Sequence, residues 1–368
     1  MKKFHYVAEI NLPSRSAYPL HVLKMCDTFS GLKYKVTLII FNKKNNLNFK
    51  TIKRKYNLKN NFKIKYLYNS KKKYNFFDRC KLASYSVKEI DKNSIIISRS
   101  IITSLYLSYN KIENILEMHH VPQKITQFLF WIRNFIIQKK YLKFILIHKN
   151  LIKKLSLHNE RKIVLDDAVD INDFKNVNEK IKFQCVYTGS LLKGKGVEII
   201  EKLAEKNPKI NFNIYGDKNE LKSWNNELLL KKNIFFKSYA DYFQIPKILK
   251  KHKILLMPYQ EKVYGLGTNL ELSKFMSPMK MFDYLASGRI ILASKLNIYS
   301  HILKNNYNAI LVDPNNINLW NNKLKSILKN SGQFSNLKKN SIITASKNTW
   351  LIRSSKIIKF NKKTIITQ

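Results

Sequence analysis

Residues 4–41, FHYVAEINLPSRSAYPLHVLKMCDTFSGLKYKVTLIIF, contain the pattern that decides the fold. A strand-like run, FHYVAEI, is followed by the polar loop NLPSRSA. The next segment spaces Leu20, Leu23 and Phe29 along one face of a helix, Gly31 ends that helix, and KVTLIIF follows as a buried strand. The stretch therefore predicts one β-α-β unit.

The same alternation continues along the chain and then restarts. SIIIS, NILEMHH and KFILI extend the first series, and FQCVYTGS, INFNIYG, KILLMPY and IILAS form a second series after the polar linker IVLDDAVDINDFKNVNEK. Alternation of this kind predicts parallel sheets with helices on both faces. Two series predict an α/β protein of two Rossmann-like, doubly wound domains that face each other across a cleft, with ligands outside the carboxyl ends of the strands.

The charge balance is far from typical. Lys and Arg number 68 against 24 Asp and Glu, which gives a formal net charge of +44. Such a surface favours polyanions, including anionic lipid headgroups and phosphorylated substrates. An alternative stays open, because a chain crowded with Lys, Asn and Ile has the composition that an AT-rich genome favours, with lysines on solvated faces. No nucleic-acid module is recognisable, so no specific nucleic acid is expected.

The cysteines and the N-terminus indicate a compartment. Cys26, Cys80 and Cys185 lie far apart, and an odd number without C-x-x-C spacing argues against a disulfide framework and a metal site. Glu9 and Asn11 interrupt any signal-peptide core, and no apolar run approaches membrane-spanning length. We expect a cytoplasmic protein, with peripheral association on the inner face of the membrane as a hypothesis from its basic charge.

A glycine-rich turn lies in VYTGSLLKGKGVEII. A strand ends at Thr188, glycines surround Lys193 and Lys195, and a helix follows. Glycines let backbone N–H groups approach an anion, and a helix N-terminus adds positive potential. The glycine spacing is neither that of a Walker loop nor that of the dinucleotide fingerprint. The turn predicts a phosphate site, and a tight strand–helix turn with incidental lysines is the alternative.

The stretch MSPMKMFDYLASGRIILASK reads as a capped helix followed by a strand. Ser277 suits an N-cap, Pro278 the first helical position, and Gly288 the left-handed residue after the helix. Lys280 and Asp283 are three residues apart and share a face near the helix start. One interpretation is a surface ion pair. The other is a cation and a carboxylate directed at one ligand, the cation to phosphate and the carboxylate to ribose hydroxyls.

Two further segments need an interpretation. In EMHHVP, His119 and His120 follow a predicted strand, so they belong either to the cleft or to an ordinary loop; a metal site is not expected, because no other ligand cluster has suitable spacing. In KITQFLFWIRNFIIQKK, the apolar residues from Ile125 to Ile136 recur on one helical face with the basic residues beside it. That pattern predicts one amphipathic helix.

Taken in order along the chain, these motifs resemble glycosyltransferase family 4, the retaining enzymes of the GT-B fold. ILEMHH is similar to the family's Glu-x-His, LDDAVDINDF to hDGVDlxxF, and YTGSLLKGKGVEII to the segment that meets the donor diphosphate. SPMKMFDYLASGRIILAS resembles SPlKlfEYlasGkPiias, the most specific of the set. The resemblance implies an N-terminal acceptor domain over 1–172, a nucleotide-sugar donor domain over 173–345, and a C-terminal helix within 346–368 that packs back on the first domain.

The resemblance also implies roles for individual residues. Asp283 stands where the family has a glutamate that holds the ribose, Lys195 matches the lysine that meets the diphosphate, and His119 matches the histidine that contacts the reacting sugar. The remaining implied positions are those of the donor site, Gly189, Ser190, Gly196, Gly216, Ser277, Pro278 and Lys280, and those of a cleft loop, Ser14, Arg15 and Ser16.

Besides Ala168, which stands where the family usually has glycine, three positions of the implied donor site depart from the family's pattern. Where the family often has a first glutamate, this chain has Phe275, which cannot bind a sugar hydroxyl. Asp283 is one methylene shorter than the usual glutamate. Ser190 stands where many members have an arginine for the diphosphate, so one fixed charge is lost.

The resemblance therefore implies a retaining, metal-independent glycosyltransferase without a cofactor. Its donor would be a UDP- or GDP-linked sugar, and its acceptor a glycan or lipid-linked saccharide of surface polysaccharide or lipopolysaccharide biosynthesis. Two alternatives stay open. One is a UDP-sugar epimerase of the same fold, and the other is a non-catalytic protein that binds sugars or polyanions on this scaffold.

Overall fold

The computed structural model describes residues 1–42, 48–68, 74–222, 224, 231–264, 271 and 273–362. The chain divides into two compact units. Unit 1 comprises residues 1–166 together with the segment that starts at Trp350, and unit 2 comprises residues 167–349. Each unit alternates parallel strands with helices, so the α/β class and the doubly wound architecture expected from the sequence are confirmed.

Unit 1 begins with the β-α-β stretch. Its strands are β1 Lys3–Ala8, β2 Lys35–Asn42, β3 Lys63–Tyr68, β4 Ile95–Ser98, β5 Asn114–Met118, β6 Leu142–Leu146 and β7 Lys162–Val164. The helices between them are α1 Ala17–Gly31, α2 Phe49–Lys55, α3 Phe76–Glu89, α4 Ile101–Tyr109, α5 Lys124–Trp131, α6 Arg133–Ile136 and α7 Asn150–Lys154.

The sheet of unit 1 has the order β3-β2-β1-β4-β5-β6-β7, with parallel neighbours throughout. The chain winds from β1 outward to β3, then returns to the other side of β1 with β4. This reversal makes the carboxyl edge between β1 and β4 the switch point, which is where open α/β sheets form a crevice for ligands. One face of the sheet is covered where Val7, Ile39 and Ile96 pack with Leu82 of α3 and Leu107 of α4.

Unit 2 repeats the plan. Its strands are β8 Phe183–Thr188, β9 Phe212–Tyr215, β10 Ile234–Lys237, β11 His252–Met257, β12 Ile290–Ser294 and β13 Ile310–Val312. Its helices are α8 Asn172–Lys175, α9 Val197–Lys206, α10 Asn219–Lys222, α11 Ile245–Lys250, α12 Met279–Ser287, α13 Ile317–Lys329 and α14 Ser335–Ser346.

The sheet of unit 2 has the order β10-β9-β8-β11-β12-β13, so its switch point lies between β8 and β11. Cys185 of β8 lies opposite Ile254 of β11 in the parallel pairing. Successive residues of a strand point to opposite faces of a sheet. Tyr187 therefore joins one buried apolar cluster and Val186 the other, and both faces of the sheet are covered.

The last helix of the described chain, α15 Trp350–Lys362, belongs to unit 1 and packs against α1. Trp350 and Ile357 are buried, and the Trp350 indole meets the His21 ring of α1 edge-on at 5.1 Å between centroids.

The segment KITQFLFWIRNFIIQKK departs from the single helix predicted for it. The helix ends at Trp131, and a separate short turn of helix, α6, begins at Arg133. Most of the predicted apolar face is not packed, since Ile125, Phe128 and Ile136 are exposed, while Leu129 and Ile132 are partly buried. None of the helices in the described residues has the length and apolar character needed to span a membrane.

Candidate functional site

In unit 2, the turn between β8 and α9 has a shape that requires glycine. Gly189, Gly194 and Gly196 have φ of +125°, +83° and +84°, a region that residues with a Cβ rarely adopt. A Cβ on Gly196 would lie 1.6 Å from the carbonyl oxygen of Pro258, just after β11. The turn is therefore held closely against the segment that follows the neighbouring strand, at the switch point of the sheet.

Two lysine side chains lie at this edge of the sheet, both near the Tyr259 ring. The ammonium of Lys280, from the first turn of α12, lies 3.7 Å from the centroid of the Tyr187 ring and 5.2 Å from that of Tyr259. The ammonium of Lys195, from the turn after β8, lies 4.9 Å from the same Tyr259 ring. Lys280 Nζ also lies within 2.9 Å of the position that a Cβ on Gly189 would take.

Burial weakens the charged form of both lysines. It lowers the pKa of Lys195 to about 8, and it lowers the pKa of Lys280 well below its ordinary value, with the nearby Lys195 charge adding to the effect. The carboxylate of Glu220 opposes both shifts. Among the described residues Lys280 Nζ has no hydrogen-bond partner although it is buried. Binding of an anion at this site would be favourable, because a nearby negative charge stabilises the charged form of each lysine.

Asp283 does not pair with Lys280. Its carboxylate is buried, and Oδ1 accepts a hydrogen bond from the hydroxyl of Tyr242 at 2.8 Å. Burial raises the pKa of the Tyr242 hydroxyl, and the negative charge of Asp283 raises it further. The phenol therefore stays protonated and acts as the donor. The interpretation of Lys280 and Asp283 as a surface ion pair is therefore wrong for this structure. The two side chains of α12 contact different partners.

The start of α12 differs from the prediction. Ser277 does not cap the helix. Its hydroxyl oxygen instead accepts a hydrogen bond from the backbone N–H of Asp167 at 3.0 Å, and Pro278 precedes the first helical residue, Met279. The end of the helix is as predicted, since Gly288 follows it with φ of +65°.

The remaining donor-side predictions have structural positions as well. The backbone oxygen of Ser190 accepts a hydrogen bond from the hydroxyl of Tyr187 at 2.6 Å. Gly216 is packed so closely that a Cβ there would meet the carbonyl oxygen of Gly189 at 2.6 Å. Phe275 is buried, and Glu271 accepts a hydrogen bond from the Ser273 hydroxyl. Residues 265–270, the loop before Glu271, lie outside the described residues.

In unit 1, a buried carboxylate organises the end of β5. Glu117 Oε1 lies 2.8 Å from Arg353 Nη2, 2.8 Å from His21 Nε2 and 3.0 Å from His119 Nε2. The hydroxyl of Tyr6 donates to Oε2 of the same residue. Burial alone would raise the pKa of Glu117, but the charges of His21 and Arg353 and the hydrogen bonds from the histidines hold it well below its usual range.

His119 lies at the edge of this network, with its side chain 16% exposed. Burial lowers its pKa to about 3, and the positive charge of Arg99 acts in the same direction. The imidazole is therefore neutral near pH 7. Because a carboxylate only accepts, the 3.0 Å contact with Glu117 requires the ring proton on Nε2 and leaves Nδ1 as an acceptor. His120 is exposed, and its Nδ1 lies 3.0 Å from the Val121 oxygen.

The loop after β1 contains the predicted Ser14, Arg15 and Ser16. Ser14 exchanges two hydrogen bonds with the Tyr56 hydroxyl, which donates to the Ser14 oxygen at 2.9 Å and accepts from the Ser14 N–H at 2.8 Å. The Ser14 hydroxyl also accepts from the backbone N–H of Ser16. Arg15 and Ser16 are exposed to solvent.

His21, Glu117 and His119 have the chemical types of a metal site, with ligand atoms within 4.8 Å of one another. However, the Arg353 guanidinium already lies against the carboxylate oxygen that would bind the ion. A divalent cation there would face a fixed positive charge at close range, so the cluster fits an ion-pair network better than a metal centre.

Sequence reasoning missed the aromatic and basic partners of these residues. Tyr187 and Tyr259 could have been predicted from the sequence, because both stand at the ends of predicted strands that could have been recognised as neighbours. Arg353, Tyr6 and Tyr242 carry no local pattern that sets them apart. Their roles depend on contacts between distant segments.

Comparison with known proteins agrees with this architecture. Residues 169–344, nearly all of unit 2, match the family model for glycosyl transferases group 1. Curated protein sequences give no significant match.

Solved structures extend the similarity to the whole chain. Anabaena HepE in complex with UDP and glucose is 13% identical with a TM-score of 0.74, covering 99% of this chain and 100% of that one. A mutant of S. aureus TarM in complex with fondaparinux, alpha-GlcNAc-glycerol and UDP is 14% identical, with a TM-score of 0.70 and 98% of both chains covered. WaaG, a glycosyltransferase involved in lipopolysaccharide biosynthesis, is 11% identical with a TM-score of 0.66, covering 98% and 100%.

The fold match therefore spans both units, and the family match falls on the unit that carries the two lysines and the glycine turn. Unit 2 therefore matches the glycosyl transferases group 1 family over residues 169–344, and the chain as a whole has the GT-B fold.

Proposed function

We propose that this protein is a glycosyltransferase that moves a sugar from a nucleotide-sugar donor to a hydroxyl group of a glycan or a lipid-linked saccharide, with retention at the anomeric carbon. The donor binds to unit 2 and the acceptor to unit 1. HepE and TarM were both solved with UDP, so a UDP-linked sugar is the first donor to test, with GDP-linked sugars next. The involvement of WaaG in lipopolysaccharide biosynthesis favours a product in surface polysaccharide or lipopolysaccharide biosynthesis.

The observation that carries this proposal is the pair of ammonium groups near the Tyr259 ring, that of Lys195 at 4.9 Å from the ring centroid and that of Lys280 at 5.2 Å. Lys195 and Lys280 are both destabilised in their charged forms by burial, and a diphosphate is the ligand that relieves both. Neutral pyranose or nucleoside rings would not. Gly189, Ser190 and Gly196 form a backbone turn beside them that allows close approach of phosphate oxygens. Gly216 packs directly against this turn, next to the carbonyl oxygen of Gly189.

The ribose is assigned to Asp283 at the same helix. A carboxylate accepts hydrogen bonds from both ribose hydroxyls, and Tyr242 holds one of its oxygens in place. Ser277 and Pro278 set the entry of the chain into this helix. With Phe275 in place of the usual first glutamate, unit 2 lacks a carboxylate for a sugar hydroxyl at that position.

Transfer proceeds from the same face that the diphosphate leaves. The acceptor oxygen bonds to the anomeric carbon, the bond from that carbon to the diphosphate oxygen breaks with its electron pair going to the diphosphate, and the departing phosphate takes the acceptor's proton. Lys195 and Lys280 stabilise the negative charge that develops on the diphosphate. These fixed cations take the place of a metal ion. Neutral His119, with Nδ1 as acceptor, orients a hydroxyl of the reacting sugar.

Thermal stabilisation by a panel of UDP-, GDP- and ADP-sugars tests the donor, since a ligand that binds only the folded state raises the melting temperature. Turnover with the stabilising donor is then measured in Lys195→Ala and Asp283→Ala. We expect each variant to lose most activity. Turnover like that of the wild type in both variants would overturn the assignment.

A second function, sugar binding without transfer, is favoured by Phe275. This side chain is 7% exposed and apolar at the position of a family carboxylate. The same panel separates the two functions. A binding protein would be stabilised by a donor and would release no nucleoside diphosphate in the presence of acceptor, whereas stabilisation by heparin alone would indicate a polyanion-binding protein.

A further inference from the structure

The α5–α6 surface of unit 1, which consists of Ile125, Phe128, Trp131, Phe135 and Ile136, is exposed to an unusual degree. Phe135 is 93% exposed, Trp131 71% and Phe128 57%. Single exposed apolar residues are ordinary, but five large ones between residues 125 and 136 are typical of an interaction site. Here the group lies on a segment whose sequence pattern predicts an amphipathic helix.

This surface is displayed on a fixed support. Phe130, between the exposed aromatics, is fully buried. Arg133 is buried as well; its Nη1 donates to the Phe130 oxygen at 2.8 Å, and its Nη2 lies 3.3 Å from Glu160. The helices are therefore held to unit 1 by one face while the opposite face points outward.

Neighbouring helices extend the apolar character. Helix α4 packs against α5 and α6, and α3 packs against α4. Nearly all of the exposed large apolar side chains in the described part of residues 1–166 fall on these helices, the additional ones being Phe76, Phe77, Tyr106 and Tyr109. The exposed apolar residues are thus concentrated on one layer of the unit and are not scattered.

The charges around the surface indicate the class of partner. Residues 124–141 contain no Asp or Glu, and Lys124, Lys139 and Lys140 are exposed at its two ends. A second copy of this chain, with its own net charge of +44, would be repelled. Aromatic side chains flanked by lysines suit the interface of an anionic bilayer, where rings enter the headgroup region and ammonium groups meet phosphates.

We propose that the α5–α6 surface docks unit 1 on an anionic lipid bilayer. This extends the proposed function by naming the surface that brings the acceptor domain to a membrane, where a lipid-linked acceptor lies. Vesicle binding needs no sugar transfer, so the docking proposal and the proposed reaction fail or succeed separately.

Binding to phosphatidylcholine vesicles, with and without about one-third phosphatidylglycerol, tests the proposal by co-sedimentation. We expect wild-type protein to bind the anionic vesicles and to be released by salt. Trp131→Ser/Phe135→Ser removes two aromatic rings and should weaken binding roughly 100-fold. Lys139→Glu/Lys140→Glu should weaken it at least about tenfold.

Matched controls in unit 2 separate local docking from the effect of total charge. Lys323→Glu/Lys325→Glu changes the net charge by the same amount, and Phe235→Ser/Tyr307→Ser removes exposed rings elsewhere. We expect both controls to bind as the wild type does. An equal loss in the controls, or no binding of the wild type to anionic vesicles, would overturn the proposal.

Trp131 provides an independent readout. Its indole is 71% exposed, whereas Trp320 and Trp350 are buried. Tryptophan emission should shift to shorter wavelength with anionic vesicles, and Trp131→Phe should lose the shift while it keeps vesicle binding. A shift that persists in Trp131→Phe would contradict insertion of this surface. Stabilisation by UDP should be unchanged in every variant, which shows that the donor site is intact.

Discussion

The guanidinium of Arg353 lies 2.8 Å from the carboxylate of Glu117, although 236 residues separate them in the chain. Both side chains are buried, and Arg353 Nε also donates to the Asp166 oxygen at 2.9 Å. The pair connects the last helix, α15, to the end of β5, and Glu117 in turn holds His119. The C-terminal helix therefore contributes directly to the position of the histidine that we assign to the sugar.

Arg353→Met removes one partner of a buried ion pair and leaves the buried Glu117 carboxylate without one of its positive partners. We expect the free energy of unfolding to fall by about 3–5 kcal/mol, measured by urea denaturation. Lys356→Met, at an exposed site on the same helix, is the control and should change it by less than about 0.5 kcal/mol.

The double variant Arg353→Met/Glu117→Gln tests the cause of that loss. Because Gln leaves no unpaired charge, the double variant should be more stable than Arg353→Met alone. A double variant that is the sum of two independent losses would show that the ion pair itself contributes nothing.

Donor affinity should depend on the protonation of Lys195. Its pKa is lowered to about 8 in the unliganded protein, so it is charged below that pH and neutral above it. A diphosphate binds the charged form better and takes up a proton. The affinity for UDP should therefore fall as the pH rises above about 8, and calorimetry in buffers of different ionisation enthalpy should detect proton uptake.

Lys195→Arg is the control, because an arginine stays protonated throughout this range. Plotted against pH, the ratio of the two dissociation constants should change near pH 8 as the wild type weakens. The stability of the unliganded protein should change with pH in the opposite direction to its affinity for UDP. Above that pH the unfolded chain holds the Lys195 proton and the folded chain does not, so this group makes the unliganded protein more stable as the pH rises. A ratio independent of pH would contradict the burial of this lysine.

Much of the fold follows from local patterns. The strand-like runs from FHYVAEI to IILAS all correspond to strands of the two sheets, and Gly31 and Gly288 lie at the helix ends where they were expected. Parallel strands buried on both faces read as apolar runs, which makes them easy to recognise. The single helix predicted for the α5–α6 segment was wrong, because two helices form there. Helical periodicity shows that one face is apolar, but it does not show whether another element covers that face.

The candidate site was harder to predict from the sequence than the fold. Lys195 and Lys280 stand in recognisable motifs, but their shared contact with Tyr259 depends on the strand order β8-β11, which places segments far apart in the chain side by side. Ser277 shows the limit of local rules. Its hydroxyl fits an N-cap by sequence, yet a backbone N–H over a hundred residues away uses it.

Gly196→Ala should damage the glycine turn. The residue has φ of +84° and its Cβ would meet backbone atoms of Pro258, so neither rotation of a side chain nor a small shift removes the conflict. We expect a loss of stability of about 2 kcal/mol or more and loss of UDP stabilisation. Gly332→Ala is the matched control, because a Cβ there meets nothing within 4 Å. Equal melting temperatures for the two variants would show that the turn tolerates a side chain.

Lys280→Met should separate stability from function. Met is of similar length and apolar, and the variant removes a buried ammonium that has no hydrogen-bond partner in the described structure. Loss of the contact with the Tyr187 ring opposes this gain only in part. We expect a melting temperature at least equal to that of the wild type, together with loss of stabilisation by UDP. A clearly lower melting temperature would show that the ammonium has a structural role.

The last prediction concerns the hydrogen bond from Tyr242 to Asp283, which is 2.8 Å long and buried. Asp283→Asn keeps an oxygen that accepts from Tyr242 but loses the charge that accepts from two ribose hydroxyls. Its stability should stay within about 1 kcal/mol of the wild type, and its KM for the donor should rise. Tyr242→Phe keeps the carboxylate and removes the group that orients it, so KM should rise by a smaller factor. Asp283→Ala leaves the Tyr242 hydroxyl buried without this acceptor and should lose about 1–3 kcal/mol of stability as well as activity. Steady-state kinetics and urea denaturation of the three variants distinguish the roles. If Asp283→Asn binds the donor as the wild type does, the Asp283 charge has no part in donor binding.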